Sequence, residues 1–346
     1  MKKLITLTAG LMMSASVIAE YTFVVPQAPG AGTSVWAEIV AKQLEPFLGE
    51  KITIQHLPGA RDIAGFNAFH NELQADNKTV MVSHGGNGVS FLQEAVDYNY
   101  AEYDSVGLQN LNIIAGRLRG EDMDRPRFAA GSGMTPEAFA MTMLICGPDK
   151  TVDEYVACFK TQVTWVNGMS GGERRLAFKR GELTGTRENP AAYKKHVESN
   201  PDAELWFHHG ILQPDGSHAD DPNYPGYQFE TLFEQRWGKK PSGDFYDAYK
   251  LVKSFRDGLQ KALWVRKGNP NRDKLVAALT AMSQNPDAVA RIEKNVGTYE
   301  WVIGDAGNQL RDTLFNMVTE TALQDLVKFN SDALGLASVY KPQLAK

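Results

Sequence analysis

The stretch YTFVVPQAPGAGTS, residues 21–34, contains a strand, a loop and the start of a helix in immediate succession. Its first five residues are apolar and β-prone, and Pro26 ends the predicted strand. The glycine-rich loop leads into residues 35–48, whose apolar side chains recur at helical spacing until Gly49. This succession predicts one unit of an α/β fold.

The same succession recurs along the first third of the chain. Residues 51–55 and 79–83 are further β-prone runs, and each ends in a polar, glycine-containing loop before a helical segment. Strands that alternate with helices are typical of a parallel sheet flanked by helices. We therefore predict an α/β architecture here.

The pattern restarts after an apolar crossing segment at residues 111–116. Residues 128–130 lead into a Gly-Ser loop at 131–136, and residues 162–166 lead into a second glycine-rich loop at 167–172. A helix is predicted after each loop. The two halves of the chain therefore present similar loops at the start of helices.

The length of 346 residues exceeds what one hydrophobic core usually serves, so we predict two domains. The apolar run at 262–265 predicts a strand that returns to the first domain, whereas the Gly-, Pro- and Asp-rich residues 209–243 predict surface loops. The predicted divisions are a signal peptide at 1–19, a first lobe at 20–113, a second lobe at 114–257 and a return to the first lobe at 258–346.

The first nineteen residues predict export to the periplasm. Lys2 and Lys3 precede an uncharged stretch that ends in Val17-Ile18-Ala19, so we expect cleavage after Ala19. The stretch is too short and too rich in Ser, Thr and Gly to suit a membrane anchor. Loss of the two lysines takes the formal charge from -5 to -7, which argues against nucleic acid as a partner. We expect a monomer.

The only two cysteines are Cys146 and Cys158, with eleven residues between them. In an oxidising compartment such an isolated pair usually forms a disulfide, which would stabilise the fold by ~2–3 kcal/mol. Two buried free thiols are the alternative. His208 and His209 are adjacent and would point to opposite faces of a strand, so we expect no metal site, and we expect no cofactor.

The loops before the helices favour anion binding. A helix N-terminus offers unpaired N–H groups and a partial positive charge, and Ser, Thr or Asn side chains add neutral donors. Such loops facing each other across a cleft would hold a small organic carboxylate without chemistry.

Several segments together resemble the substrate-binding proteins of tripartite tricarboxylate transporters, the Bug family. They follow the family's order and are residues 25–33, 54–60, 79–83, 98–104, 131–135 and 180–183. The resemblance implies a type II, two-lobe periplasmic-binding fold, each lobe a sheet flanked by helices. It also implies that backbone amides, neutral side chains and water hold a carboxylate, which the protein delivers to a transporter with a large and a small membrane subunit.

The sequence departs from the family at the predicted pocket. Ser34 and His56 replace the usual Asp and Asn, and Arg61 and Asp62 replace glycines. Arg187 or Arg61 could pair with a second carboxylate of the ligand. The predicted ligand-binding residues are Ala28, Gly30, Gly32, Thr33, Ser34, His56, Ala60, Arg61, Ser83, His84, Ser132, Gly133, Thr135, Asn167, Gly168, Ser170, Thr186, Arg187 and Glu188.

Two alternatives remain at this stage. The Gly168–Gly172 segment matches G-x-S-x-G between a strand and a helix, which would make Ser170 the nucleophile of an α/β-hydrolase-like esterase. The order Ser, acid, His disfavours it, because the last histidine is His218. The other alternative is a periplasmic sensor that presents its ligand to a signalling partner.

Overall fold

The computed structural model describes residues 20–59, 62–110, 112–131 and 135–339. In chain order the strands are β1 Tyr21–Val25, β2 Ile52–His56, β3 Thr79–His84, β4 Tyr103–Gln109, β5 Ile114–Leu118, β6 Arg127–Ala129, β7 Thr164–Val166, β8 Gly185–Glu188, β9 Ala203–His208, β10 Ile211–Leu212, β11 His218–Ala219, β12 Lys261–Arg266 and β13 Trp301–Ile303.

Several helices begin directly after a predicted glycine-containing loop. They are α1 Gly32–Leu48, α2 Ile63–Asn71, α3 Gly85–Val89, α4 Pro136–Cys146, α5 Val152–Gln162, α6 Gly171–Lys179, α7 Pro190–Tyr193, α8 Phe229–Trp237, α9 Asp244–Gly258, α10 Arg272–Ser283, α11 Pro286–Val296, α12 Asp305–Asn316 and α13 Glu320–Asp332. Across the described ranges, no helix is both long and apolar enough to cross a membrane.

The first strand group is a six-stranded sheet in the order β13-β4-β12-β3-β1-β2. Strand β1 runs parallel to β2 and β3, as the strand–helix alternation predicts. Strand β12 comes from far along the chain and inserts antiparallel between β3 and β4. The sheet therefore combines the first third of the chain with a return segment.

The second strand group holds β5 between β8 and β9, all antiparallel, and a separate parallel pair, β6 and β7. The chain passes from the first group to the second between β4 and β5, and returns between α9 and β12. The residues at which one lobe ends and the other begins stay a prediction.

Residues 209–243 are only in part the surface loops that their composition predicts: 213–217, 220–227 and 238–243 are loops and mostly exposed. The segment also contains the β10–β11 hairpin and helix α8, and the imidazole of His209 at its start is completely buried. Phe229 and Phe233 of α8 supply the apolar side chains that bury the segment. In the hairpin and in α8, apolar burial therefore outweighs the local turn signals.

Both faces of the large sheet are covered. On one face Phe23, Val25 and Leu263 pack with Trp36 and Val40 of α1. On the other face an aromatic cluster continues past α9 into α4 and α5 of the second group. Because α9 packs against α3, α4 and α13, it ties the two strand groups together.

The predicted disulfide is confirmed. Cys146 at the end of α4 is bonded to Cys158 within α5. The bond fixes the angle between two helices whose buried faces, including Phe139 and Phe159, meet α13 at Phe329.

Replacing both cysteines with serine should lower the free energy of unfolding by ~2–3 kcal/mol, because the unfolded chain regains the freedom of the closed loop. Urea unfolding without reductant measures it. Reductant should destabilise the natural protein by a similar amount and leave the Cys146→Ser/Cys158→Ser protein unaffected; an equal response of both proteins would contradict the prediction.

Candidate functional site

Five polar side chains from separate segments of the first strand group contact one another in a chain. The Lys261 ammonium donates to Thr33 Oγ1 at 2.8 Å, and the Thr33 amide donates to Gln27 Oε1 at 3.1 Å. Gln27 Nε2 donates in turn to Asp62 Oδ2 at 3.0 Å, and His84 Nε2 lies 2.9 Å from the same oxygen. We call Gln27, Thr33, Asp62, His84 and Lys261 the first half of the polar cluster.

The contact between His84 and Asp62 is directional. His84 Nδ1 accepts a hydrogen bond from the Gly86 amide at 2.9 Å, so the ring proton lies on Nε2 and is donated to Asp62. Burial lowers the pKa of His84 despite the nearby carboxylate, so the imidazole is neutral at pH 7. Burial acts to raise the pKa of Asp62, but its hydrogen bonds to His84 and Gln27 hold that pKa below its ordinary value.

Asp62 has an unusual backbone. Its φ of 67° is left-handed, a conformation that few residues other than glycine adopt. The side-chain amide of Asn87 stabilises it by donating to the Asp62 carbonyl at 2.8 Å. Residues held in such conformations cluster at functional sites, because the surrounding contacts must fix them there.

The register of the sheet explains why Lys261 belongs to this half. Lys261 lies opposite His84 on the neighbouring antiparallel strand, and side chains directly opposite each other point to the same face. Burial among these groups lowers the pKa of Lys261 to about 7. A negatively charged ligand would restore its protonation.

The second half of the polar cluster consists of Thr135, Glu137, Arg187 and Arg256. Glu137 lies in the first turn of α4 and is completely buried. Its Oε2 is 3.7 Å from Arg187 Nε and 3.5 Å from Arg256 Nη1. Two guanidinium groups thus approach one carboxylate without forming a hydrogen bond to it.

Several polar atoms of the second half are buried without a partner within the part of the chain that the structure describes. They are Thr135 Oγ1, both carboxylate oxygens of Glu137, Arg187 Nε and Arg256 Nε. Buried polar groups are costly unless they are hydrogen-bonded, and in native proteins they almost always have partners. Their concentration here indicates a site for a polar molecule.

Arg256 connects the two halves. It contacts Glu137 on one side, and its positive charge acts on His84 and Lys261 on the other. Gly85, the first residue of α3, permits this approach, because an added Cβ there would lie 2.5 Å from the Arg256 carbonyl oxygen. The cluster therefore has Arg187, Arg256 and Lys261 against Asp62 and Glu137, a composition that favours an anion.

An open hollow elsewhere is a weaker candidate for the site. It has a volume of about 370 Å³ and lies between α11 and β13, lined in part by Ile292, Tyr299 and Trp301. The charged residues that line it in the described structure are Glu293 and Glu300, which would repel an acid. The polar cluster suits an anionic ligand better.

No family model matches the chain, and no curated protein sequence matches it. Solved structures do. The periplasmic binding protein BugD has a TM-score of 0.56 at 14% identity, over 92% of this chain and 98% of BugD. A TctC solute-binding protein from Polaromonas has 0.55 at 12% identity, over 85% and 95%. An R. palustris protein solved with adipate has 0.55 at 14% identity, over 92% and 98%.

The chain has the periplasmic solute-binding fold. The predicted type II architecture and the resemblance to Bug proteins are thereby confirmed at the level of the fold. The proteins compared bind solutes and belong to a class that performs no catalysis.

Of the predicted ligand-binding residues, the structure brings Thr33, His84, Thr135 and Arg187 into the polar cluster. Thr186 precedes Arg187 in β8, so its side chain points to the opposite face of the sheet. Four lie outside the described residues, namely Ala60, Arg61, Ser132 and Gly133. Ala28, Gly30 and Gly168 lie in solvent-exposed loops, and Gly32 is the exposed first residue of α1.

Other predicted residues have their polar groups engaged away from the cluster. Ser34 Oγ lies 2.7 Å from His56 Nε2, and Ser83 Oγ accepts from the buried Trp264. Asn167 donates to the Leu334 carbonyl, Ser170 caps α6, and both oxygens of Glu188 accept from Arg175.

The esterase alternative finds no triad in this solute-binding fold. The hydroxyl of Ser170 accepts from the Glu173 amide and lies at an exposed helix cap. Of the histidines that follow it, His208 contacts the Tyr224 carbonyl, His209 contacts the Tyr249 hydroxyl, and the side chain of His218 is buried near Asp257, whereas Ser170 is exposed. The G-x-S-x-G match is a helix-capping box.

The sequence reasoning missed Gln27, Glu137, Arg256 and Lys261 as site residues, and it treated Asp62 only as a departure from the family. Gln27 and Glu137 lie within or next to loops that were singled out, so their positions carried a signal. Arg256 and Lys261 had none, because only the return of the chain into the sheet brings them to the cluster.

Replacing Gly85 with alanine should destabilise the fold by about 1–3 kcal/mol, because the new Cβ would clash with the Arg256 backbone at the junction of the two halves. Gly172→Ala is the matched control, since that glycine lies in α6 with open space around it and alanine favours helix. Urea unfolding of both variants should show a loss for the first and none for the second. Equal effects would contradict the proposed close packing at Gly85.

Proposed function

We propose that this protein is a periplasmic solute-binding protein that captures a small organic carboxylate at the polar cluster. The proposal rests on one observation: the buried donors Thr135 Oγ1, Arg187 Nε and Arg256 Nε have no hydrogen-bond partner among the described residues, and the charge of Arg256 acts on Lys261 in the other half of the cluster. Charge-assisted bonds from guanidinium groups are among the strongest that a carboxylate forms.

The setting supports the same function. Residues 1–19 have the composition of a signal peptide and lie outside the described residues. The R. palustris structure of the same fold was solved with adipate, a carboxylate. We further propose delivery to a tripartite tricarboxylate-type transporter with a large and a small membrane subunit, which follows from the resemblance at the predicted loops.

Binding would couple the two strand groups. A carboxylate that contacts both halves of the cluster stabilises only the arrangement in which those halves are close together. Arg187 belongs to the second strand group, in β8, and Lys261 belongs to the first, in β12. A ligand that contacts both residues therefore connects the two groups. The ligand would therefore hold the protein closed, which is the form a transporter can distinguish from the empty one.

A screen of mono-, di- and tricarboxylates, aromatic acids and sugar acids should raise the melting temperature for at least one class. A ligand at 100 times its Kd stabilises the native protein by about 2.7 kcal/mol, so unguessed ligands are detectable. Neutral sugars serve as controls. A shift with neutral sugars and none with any acid would refute carboxylate binding.

Replacing Lys261 with methionine should weaken acid binding roughly tenfold or more, because a hydrogen bond to a charged group is lost. Lys267→Met, at an exposed position just after β12, is the matched control and should bind normally. Titration calorimetry measures both affinities. Unaltered binding by the Lys261→Met protein would exclude this ammonium from the site.

The same variant should change how stability depends on pH. The Lys261 pKa is about 7 in the folded protein and 10.5 in the ordinary state, so the unfolded chain binds more protons between those values. Stability of the natural protein should therefore gain from Lys261 as pH rises from about 7 to 10, and the Lys261→Met protein should lack that gain. Urea unfolding at pH 7 and 9, with Lys267→Met as control, measures the difference.

A further inference from the structure

Glu137 is a fixed negative charge inside a site that otherwise attracts anions. Its side chain is completely buried at the start of α4, and both of its carboxylate oxygens lack hydrogen-bond partners within the described ranges. The nearest basic nitrogens, on Arg187, Arg256 and His209, lie 3.5–3.7 Å away. These distances are too long for hydrogen bonds. Basic groups therefore surround the Glu137 carboxylate but donate no hydrogen bond to it.

The ionisation state of Glu137 decides what it can bind. Burial acts to raise its pKa, but the charges of Arg256 and His209 outweigh burial and hold the pKa below its ordinary value. Glu137 is therefore ionised at neutral pH and can only accept hydrogen bonds. A ligand placed against it must present a donor, because a second acceptor there would be repelled.

The distances from Glu137 to the two arginines also indicate where on the ligand that donor lies. Arg187 Nε and Arg256 Nη1 both lie within 3.7 Å of the same Glu137 oxygen, Oε2. A ligand carboxylate bound by these two guanidinium groups would lie beside that oxygen. The ligand carbon next to the carboxylate is the nearest one that can carry a donor, so a donor there reaches Glu137 most directly.

We propose, on the basis of the function proposed above, that the ligand is a 2-hydroxy or 2-amino acid and that Glu137 determines this specificity by accepting the hydroxyl or ammonium hydrogen. The ligand carboxylate binds Arg187, Arg256 and the hydroxyl of Thr135. The arrangement separates an anion-binding side from an acceptor side within a few ångströms.

Matched ligand pairs on the unaltered protein test the proposal. Calorimetry compares lactate with propionate, malate with succinate, and aspartate with succinate. The acid with the donor should bind at least about tenfold more tightly within a pair, because a buried acceptor left without its donor is penalised. Preference for malate alone or aspartate alone would distinguish hydroxyl from ammonium recognition and support the proposal in either case.

Equal affinity within every pair would overturn the inference while leaving carboxylate binding intact. Failure of every acid to bind would instead overturn the proposed function itself, so the two failures are distinguishable.

A substitution of Glu137 tests whether this residue causes the preference within a ligand pair. Glu137→Gln keeps the shape but removes the charge, so it should reduce the preference within a pair to about twofold or less while deoxy acids bind as well as before or better. Glu182→Gln, which alters an exposed carboxylate, should keep the full preference. A proportional loss for both members of a pair in Glu137→Gln would indicate a purely structural role and overturn the assignment; if that protein does not fold, the ligand pairs on the natural protein still decide.

Discussion

Charged groups buried between two sheets must be neutralised by one another, and Arg256 is where this requirement is concentrated. It contacts Glu137 from the second strand group and acts electrostatically on His84 and Lys261 from the first. Breaking such a contact on one side would leave an uncompensated buried charge, which costs several kcal/mol. The relative position of the two strand groups therefore depends on the opposite charges that the polar cluster brings together.

The path of the chain makes this balance possible. Helix α9 packs against the second strand group and is followed directly by β12 of the first. Arg256 and Lys261 are therefore only five residues apart but belong to opposite halves of the cluster. Insertion of β12 between β3 and β4 then sets Lys261 against His84. A shift of one residue in that register would turn the lysine to the other face of the sheet, where aromatic side chains pack.

The fold was largely predictable because its signals are local. Alternating strands and helices, and the glycine loops between them, lie within windows of about twenty residues, and the structure has β1, β2, β3 and β12 within a residue of the predicted positions. The site was only half predictable. Thr33, His84, Thr135 and Arg187 lie in or next to those loops and strand ends, whereas the positions of Arg256 and Lys261 follow from long-range strand pairing, which no local pattern encodes.

The departures from the Bug pattern make physical sense as a set. Ser34 and His56 replace an acidic and an amide residue; their side chains lie 2.7 Å apart, and the Ser34 hydroxyl donates to Glu38 Oε1, so this carboxylate completes the contact. Asp62 replaces a glycine yet keeps a left-handed backbone, and its carboxylate becomes the partner of His84 and Gln27. Where the resemblance implies recognition by amides and neutral side chains, this chain has added charges of both signs. Charges of both signs in one buried site discriminate between ligands more strongly than amides do, because a mismatched ligand leaves one of them unpaired.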